Sequence, residues 1–167
     1  QESQDITINI NPSLGTEFLS GLNVFAGASQ ITRQENAKDT EEDAYQGSGG
    51  VTFSLGPVSI GAQVSAEYTG EESASDYNVY KSEAFGIAFN VNDDLSVSYG
   101  KYKTRKAGYT DHLVSTGENR RFVEVNSIQA AYTMGGASLR VASSTGENVG
   151  WSPGKDENTK TISLSLA

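Results

Sequence analysis

The stretch YNVYKSEAFGIAFNVNDDLSVSYGK, Tyr77 to Lys101, decides how the rest of the chain reads. Phe85, Ile87, Phe89 and Val91 alternate with Ala84, Gly86, Ala88 and Asn90. After Asn92-Asp93-Asp94, Leu95, Val97 and Tyr99 alternate with Ser96, Ser98 and Gly100. Successive side chains of a strand point to opposite faces, so period two on both sides of a short Asn/Asp turn predicts a β-hairpin. One face is apolar; the other is made of very short residues. Neither carries a charge from Ala84 to Asn92 or from Leu95 to Gly100. A half-buried strand of a soluble sheet places long polar and charged side chains on its wet face. Charge-free strand centres, apolar on one side and small and polar on the other, fit a wall between lipid and water.

The pattern recurs outward from this hairpin. Asp5 to Ile10 forms a short alternating strand, the turn NPSLG follows, and Phe18 to about Thr32 reads as a second strand. Its phase is open, because Val24 and Phe25 are adjacent and both suit an apolar face. Val51, Phe53 and Leu55 predict a third strand, and Val58 to Tyr68 a fourth after Gly56-Pro57. The opening hairpin supplies the fifth and sixth. A seventh ends in Ile128, Ala130, Tyr132 and Met134, an eighth carries Ala137, Leu139 and Val141, and a ninth closes with Ile162, Leu164 and Leu166. Tight turns alternate with long segments at 33–50, 70–78, 103–121 and 144–158. An up-and-down membrane barrel sorts its connections this way, short on one rim and long on the other. A Greek-key sandwich has no reason to do so.

The whole chain, 1–167, therefore reads as a single all-β region with no separate domains. Its net charge of −9 argues against a nucleic-acid partner. With no cysteine there is neither a disulfide framework nor a thiol metal site. No segment approaches the roughly 18 apolar residues of a membrane helix, which leaves strands as the means of crossing. No leader pattern opens the chain, so Gln1 is read as a mature N-terminus or a cut within a longer polypeptide.

Nine strands is an odd number, and closed antiparallel barrels expect an even one. Dropping the first leaves eight, but a small barrel must fill its interior with side chains. The inner positions here are mostly Ser, Thr, Gly and Ala, too short to meet at an axis. They suit a wide water-filled lumen of about sixteen strands. The expectation is an antiparallel up-and-down transmembrane β-barrel, with these strands as the C-terminal half of a sixteen-stranded one.

The segment SIQAAYTMGGASLRVASSTGENVGW (Ser127 to Trp151), with TKTISLSLA at the end, resembles the C-terminus of Gram-negative general porins of the alphaproteobacterial type. FGIAFNVNDDLSVSYGKY (Phe85 to Tyr102) is similar to a hairpin of the same proteins. The resemblance covers Leu55 to Ala167, and the first fifty residues only by pattern. It implies a homotrimeric diffusion channel in the outer membrane, in contact with lipid and lipopolysaccharide and passing small hydrophilic solutes and ions. Two departures stand out: such proteins usually end in an aromatic residue where this chain has Ala167, and the length is about half. The constriction loop of the family belongs to the absent half, so none of its residues carries over.

In a porin no bond is made or broken; solutes are selected by pore diameter and lining charge. Arg140 and Glu67 are the best pore-lining charges, with Gln63, Asn90 and Gln129 beside them in phase. Lys101, Lys103, Arg105, Arg120 and Arg121 form a basic rim, facing water or lipopolysaccharide phosphate, with Lys106 in the same run. Lys101 is in phase with Tyr99, so either a bulge intervenes or the residue lies above the apolar band. Tyr68, Tyr99 and Tyr132 are candidates for an aromatic girdle. Glu41, Glu42, Asp43, Glu71 and Glu72 lack the spacing of a Ca²⁺ loop, and His112 lies in polar sequence, so no metal or cofactor is expected. No nucleophile motif or carboxylate pair stands out, and no enzyme is predicted. Two other readings are open: a small closed eight-stranded outer-membrane adhesin or structural protein, and a soluble secreted β-sandwich binding module.

Overall fold

The computed structural model describes residues 2–12, 19–32, 42–70, 77–108 and 121–166. Nine strands follow in sequence: β1 Glu2–Ile10, β2 Leu22–Thr32, β3 Ala44–Leu55, β4 Val58–Tyr68, β5 Tyr77–Asn90, β6 Leu95–Gly108, β7 Arg121–Met134, β8 Ala137–Glu147 and β9 Glu157–Leu166. Each pairs antiparallel with the next, giving one up-and-down sheet in the order β1 to β9. The sheet is open. β1 and β9 are its edges and do not meet, so neither a closed barrel nor the eight-stranded one from β2 onward forms. No second sheet lies against it among the described residues.

Several strands run further than hydropathy indicates. The acidic segment expected at 33–50 gives up 44–50 to β3, and the connection expected at 103–121, basic at both ends, gives up Lys103–Gly108 to β6 and Arg121 to β7. The first case turns on glycine. Phe25 pairs with Gly50, and its ring occupies the space that a Cβ there would need, so residues that read as loop serve as the floor for an aromatic side chain. The second turns on charge: Lys103 faces Glu83 on β5 and Glu124 on β7, and opposite charges across a ladder stabilise strand pairing. The β1–β2 connection, 11–21, is longer than the tight turn expected. The other turn-end connections are short, at 56–57, 91–94 and 135–136. At 92–94, the Asn92 side chain accepts from the Asp94 and Leu95 amides at 3.0 and 2.8 Å, an Asx turn that fixes the central hairpin.

Register resolves the phase of β2. Ile10 pairs with Val24 and Val24 with Val51, which puts Val24 on the apolar face and Phe25 on the small-residue face. Lys101 pairs in unbroken register with Phe85 and Asn126, so no bulge follows Tyr99. The basic residues Lys101, Lys103 and Arg105 therefore share the apolar face, above its apolar part.

That apolar face is bare. Ala44 is the one buried hydrophobic residue among those described, while Ile162, Leu164 and Leu166 are 76, 66 and 77% exposed and Ile6, Ile8 and Ile10 over half exposed. A sheet needs its hydrophobic face covered to hold together in water. This one has no core of its own.

The exposed band crosses the sheet on a slant. The register row that starts at Ile10, the last apolar residue of β1, passes through Val24, Val51, Ala62, Phe85, Lys101, Asn126 and Thr145 to Asn158. On β9 the corresponding last apolar residue is Leu166, eight residues beyond Asn158 (166 − 158 = 8), after eight strand-to-strand steps. The opposite border moves equally: Ile6 lies four residues above the row on β1, and Ile162 four below it on β9. On β3 and β4 the charge-free surface continues higher, through Gly47, Ala66, Tyr45 and Tyr68. A slip of one residue, about 3.4 Å, per strand spacing of about 4.8 Å corresponds to strands inclined by about 35° to the normal of a flat slab. Strands of outer-membrane barrels tilt by about 35–45°.

Candidate functional site: a polar wall with charged ends

Behind the apolar band lies the small-residue face. A hollow of about 380 Å³ opens on it and is lined from β1 to β5, by Asp5, Thr7, Ser29, Ser48, Ser65 and Ser82 among others. A second, of about 450 Å³, is lined by β6 to β9. Hollows spanning four and five adjacent strands require the sheet to curve toward this face, so the polar side is concave. Its hydroxyls bond one another across strands. Ser82 donates to Thr104 at 2.9 Å, Tyr102 to Ser82 at 3.0 Å and Ser144 to Ser127 at 2.8 Å. Such pairing satisfies short polar side chains on a wetted wall without any core.

The five residues expected to line a pore all fall on this face, at different heights. Gln63, Asn90 and Gln129 are exposed; Gln63 and Gln129 lie between apolar-face neighbours on their strands, and Asn90 ends β5. Arg140 lies between Leu139 and Val141, inside the span of the apolar band on β8. It opens into the second hollow beside Ser96, Ser98, Gln129 and Ser163 and makes no ion pair among the described residues. Glu67 is near the opposite end of the strands. It pairs with Tyr80, whereas Arg140 pairs through Ala131 and Ser96 to Asn90, ten residues further along β5 (90 − 80 = 10). That is about 33 Å along the strand. The two charges do not face each other.

Glu67 belongs to a transverse row at the end where the long connections lie. Asp5, Ser29, Gln46, Glu67, Tyr80, Lys106 and Arg121 are successive register partners from β1 to β7. Carboxylates occupy the β1–β4 part and cations the β6–β7 part. Arg121, expected with the basic rim, thus faces the polar side with Lys106. Arg120 and His112 lie outside the described residues, as do Glu41, Glu71 and Glu72. Asp5 and Lys106 join the polar face by alternation alone once the strands are known to extend past the apolar run.

The remaining rim cations form a collar above the apolar band on the other face. Glu124 receives Lys101 at 2.6 Å and Lys103 at 3.2 Å; Glu83 receives Arg105 at 2.8 Å and Lys81 at 3.4 Å. Glu147, the register partner of Glu124, adds a third carboxylate on the same face, so four cations against three carboxylates leave a net +1. Lys103 also lies 4.6 Å from the centre of the Phe122 ring. The three tyrosines do not share a row. Tyr68 lies at the long-connection end paired with Tyr45 and Val79, Tyr132 at the other end paired with Leu95, and Tyr99 between, donating to Asn126 at 2.8 Å. Glu42 accepts from Tyr68 at 3.1 Å and Asp43 from Gln30 at 2.8 Å, so these acids of the β2–β3 connection tie down strand ends.

The β8–β9 connection, 148–156, is held by its own hydrogen bonds. The Asn148 side chain accepts from the Gly154 amide at 2.8 Å, and the Val149 amide donates to the Lys155 carbonyl at 2.8 Å. Within it Asn148 and Trp151 have φ of 55° and 63°, in the left-handed region. For a residue as bulky as Trp this is an outlier that surrounding contacts must hold.

No family model, no curated protein and no solved structure matches the chain.

Proposed function

We propose that this chain forms part of the wall of a wide, water-filled β-barrel in the outer membrane of a Gram-negative bacterium. The barrel is a sixteen-stranded, trimeric porin through which small hydrophilic solutes and ions diffuse. The observation that carries the reading is the slanted apolar band. Its borders descend one residue per strand, as a flat hydrocarbon layer would mark tilted strands, and a curved polar face without charge at most mid-band positions lies behind it. A soluble sandwich has no cause to slant its apolar face by an average of one residue per strand while leaving it uncovered. On this reading Arg140 is the wall charge at membrane depth, the Asp5-to-Arg121 row lines the mouth, and the collar around Glu124 and Glu83 meets lipopolysaccharide head groups.

The test is reconstitution, into planar bilayers, of the natural polypeptide that carries this sequence. Discrete conductance steps, linear in voltage and scaling with salt concentration, are expected. Insertion into vesicles with no conductance and no solute release overturns the reading.

A further inference from the structure

The β8–β9 connection does not extend away from the strands. Val149 lies over Gly146, where its methyl occupies the space a Cβ would take, and beside Val125 of β7. Both residues are on the polar face, since Val125 pairs with Tyr102 and Gly146 with Val125. From there the segment reaches back across β6 to β5. The Trp151 ring meets the Tyr80 ring edge to face, with centroids 6.3 Å apart and planes at 70°. Lys106 of β6 is held between two rings, 4.9 Å from the centre of Trp151 and 3.9 Å from that of Tyr77. A cation packed against two aromatic faces keeps its charge but is less accessible to a passing solute. Trp151 makes these contacts from a backbone with φ of 63°, in the left-handed region.

We propose that 148–156 is a shelf folded over the long-connection mouth of the lumen, and that Trp151 is the residue that sets the mouth's width. Lys106 is its positioning partner. This rests on the porin reading. It adds to it a specificity determinant carried by the last connection, between β8 and β9, with an aromatic pin in place of a charge pair. Among the described residues the shelf covers Lys106 and not Asp5 or Glu67, so solutes enter along an acidic margin.

Trp151→Gly removes the ring and suits the left-handed φ, so the strands are expected to fold unaltered; Trp151→Phe retains a ring. Lys106→Met retains length without charge. Vesicles carrying each variant are assayed for uptake of a graded series of neutral sugars. Trp151→Gly and Lys106→Met are expected to raise entry of the largest admitted sugars, relative to the smallest, by about twofold or more, with Trp151→Phe near the unaltered protein. In parallel, acrylamide quenching of Trp151, the one tryptophan of this sequence, is expected to rise in Lys106→Met and Tyr80→Ala. Unaltered size dependence in Trp151→Gly, with pores present, overturns the shelf while the porin reading stands. Unchanged quenching overturns the pinning. If the unaltered protein forms no pore, the porin reading and the mouth role fall together, and the quenching result still decides whether the segment is docked.

Discussion

The slanted band makes a depth prediction that ordinary sheet packing does not. Ile8, Ile87 and Leu164 are the central residues of three apolar runs, on β1, β5 and β9. They lie in three different register rows. The row of Ile8 passes through Ala26, Gly49 and Val64 to Glu83, four residues from Ile87 after four strand steps. The row of Ile87 passes through Tyr99, Ile128 and Ser143 to Lys160, four residues from Leu164 after four more. With a slip of one residue per strand, all three occupy one depth, the centre of the band. Arginine on the lipid face of a barrel costs about 2–4 kcal/mol at the midplane and about 0–1 near the interfaces. Ile8→Arg, Ile87→Arg and Leu164→Arg are therefore expected to lose stability by about equal amounts in that upper range, roughly 30- to 1000-fold in the folding equilibrium. Met134, four residues from the midplane position Ala130 on β7, lies about 11 Å off centre, and Met134→Arg should cost little. Ala88→Arg, on the polar face beside Ile87, should be nearly neutral. Urea titration of each variant in phosphatidylcholine vesicles, followed by Trp151 emission, measures the differences. Costs that disagree among the three central sites, or an Ala88→Arg cost matching that of Ile87→Arg, would refute the membrane slab.

Arg140→Gln removes the one charge on the polar face within the apolar span of β8; the zero-current potential in a salt gradient should move toward cation preference, and an unchanged potential would detach Arg140 from the conduction path. Glu124→Gln releases Lys101 and Lys103 from their shared carboxylate. Association with anionic-lipid vesicles at low salt should then rise by about fivefold, the factor for one basic residue at such a surface, and the gain should vanish at high salt. Equal binding at both ionic strengths would mean the collar does not meet head groups. The intact mass of the natural polypeptide should approach twice the 17.7 kDa of this sequence; a mass near 17.7 kDa would sink a sixteen-stranded barrel closed by one chain.

Much of the fold was legible because alternation is a local property. Phe85 to Val91 and Leu95 to Tyr99 announce their faces without reference to any other strand, and the Asn92-Asp93-Asp94 turn fixes their register. Strand ends were less legible. Gly47, Gly49 and Gly50 read as loop by propensity, and only the opposing Phe25 and Ala26 give them a reason to be sheet. Lys103, Arg105 and Lys106 read as loop by charge, because their carboxylate and aromatic partners lie on other strands. The polar-wall residues were found by parity alone, since alternation needs no partner. Their heights were not, because height depends on the cumulative register of every intervening pair. Trp151 had no signal at all: its ring partner Tyr80 lies on β5, three strands from β8.

The direction of the two edges limits how the wall can be completed. Nine alternating strands leave β1 and β9 pointing the same way. A second copy related by a twofold axis along the pore would set β1 beside the partner's β9 in parallel, at two seams. Parallel pairing is the weaker ladder, and tight antiparallel turns cannot lead into it. A twofold axis across the pore would restore antiparallel seams but place long connections on both sides of the membrane, against the sorting that the chain displays. An odd number of additional strands meets neither difficulty: both seams become antiparallel and every long connection keeps to one rim. Seven such strands give sixteen. At a tilt of about 35° and a spacing of about 4.8 Å, the barrel radius is then about 15 Å, against about 9 Å for ten. The wider wall leaves an aqueous channel behind residues as short as Ser65, Ser98 and Ser163, with Arg140 projecting among them and the Trp151 shelf spanning part of the mouth. On the proposed reading, the small side chains of the polar face and the unmatched direction of the edges are met by the same added strands.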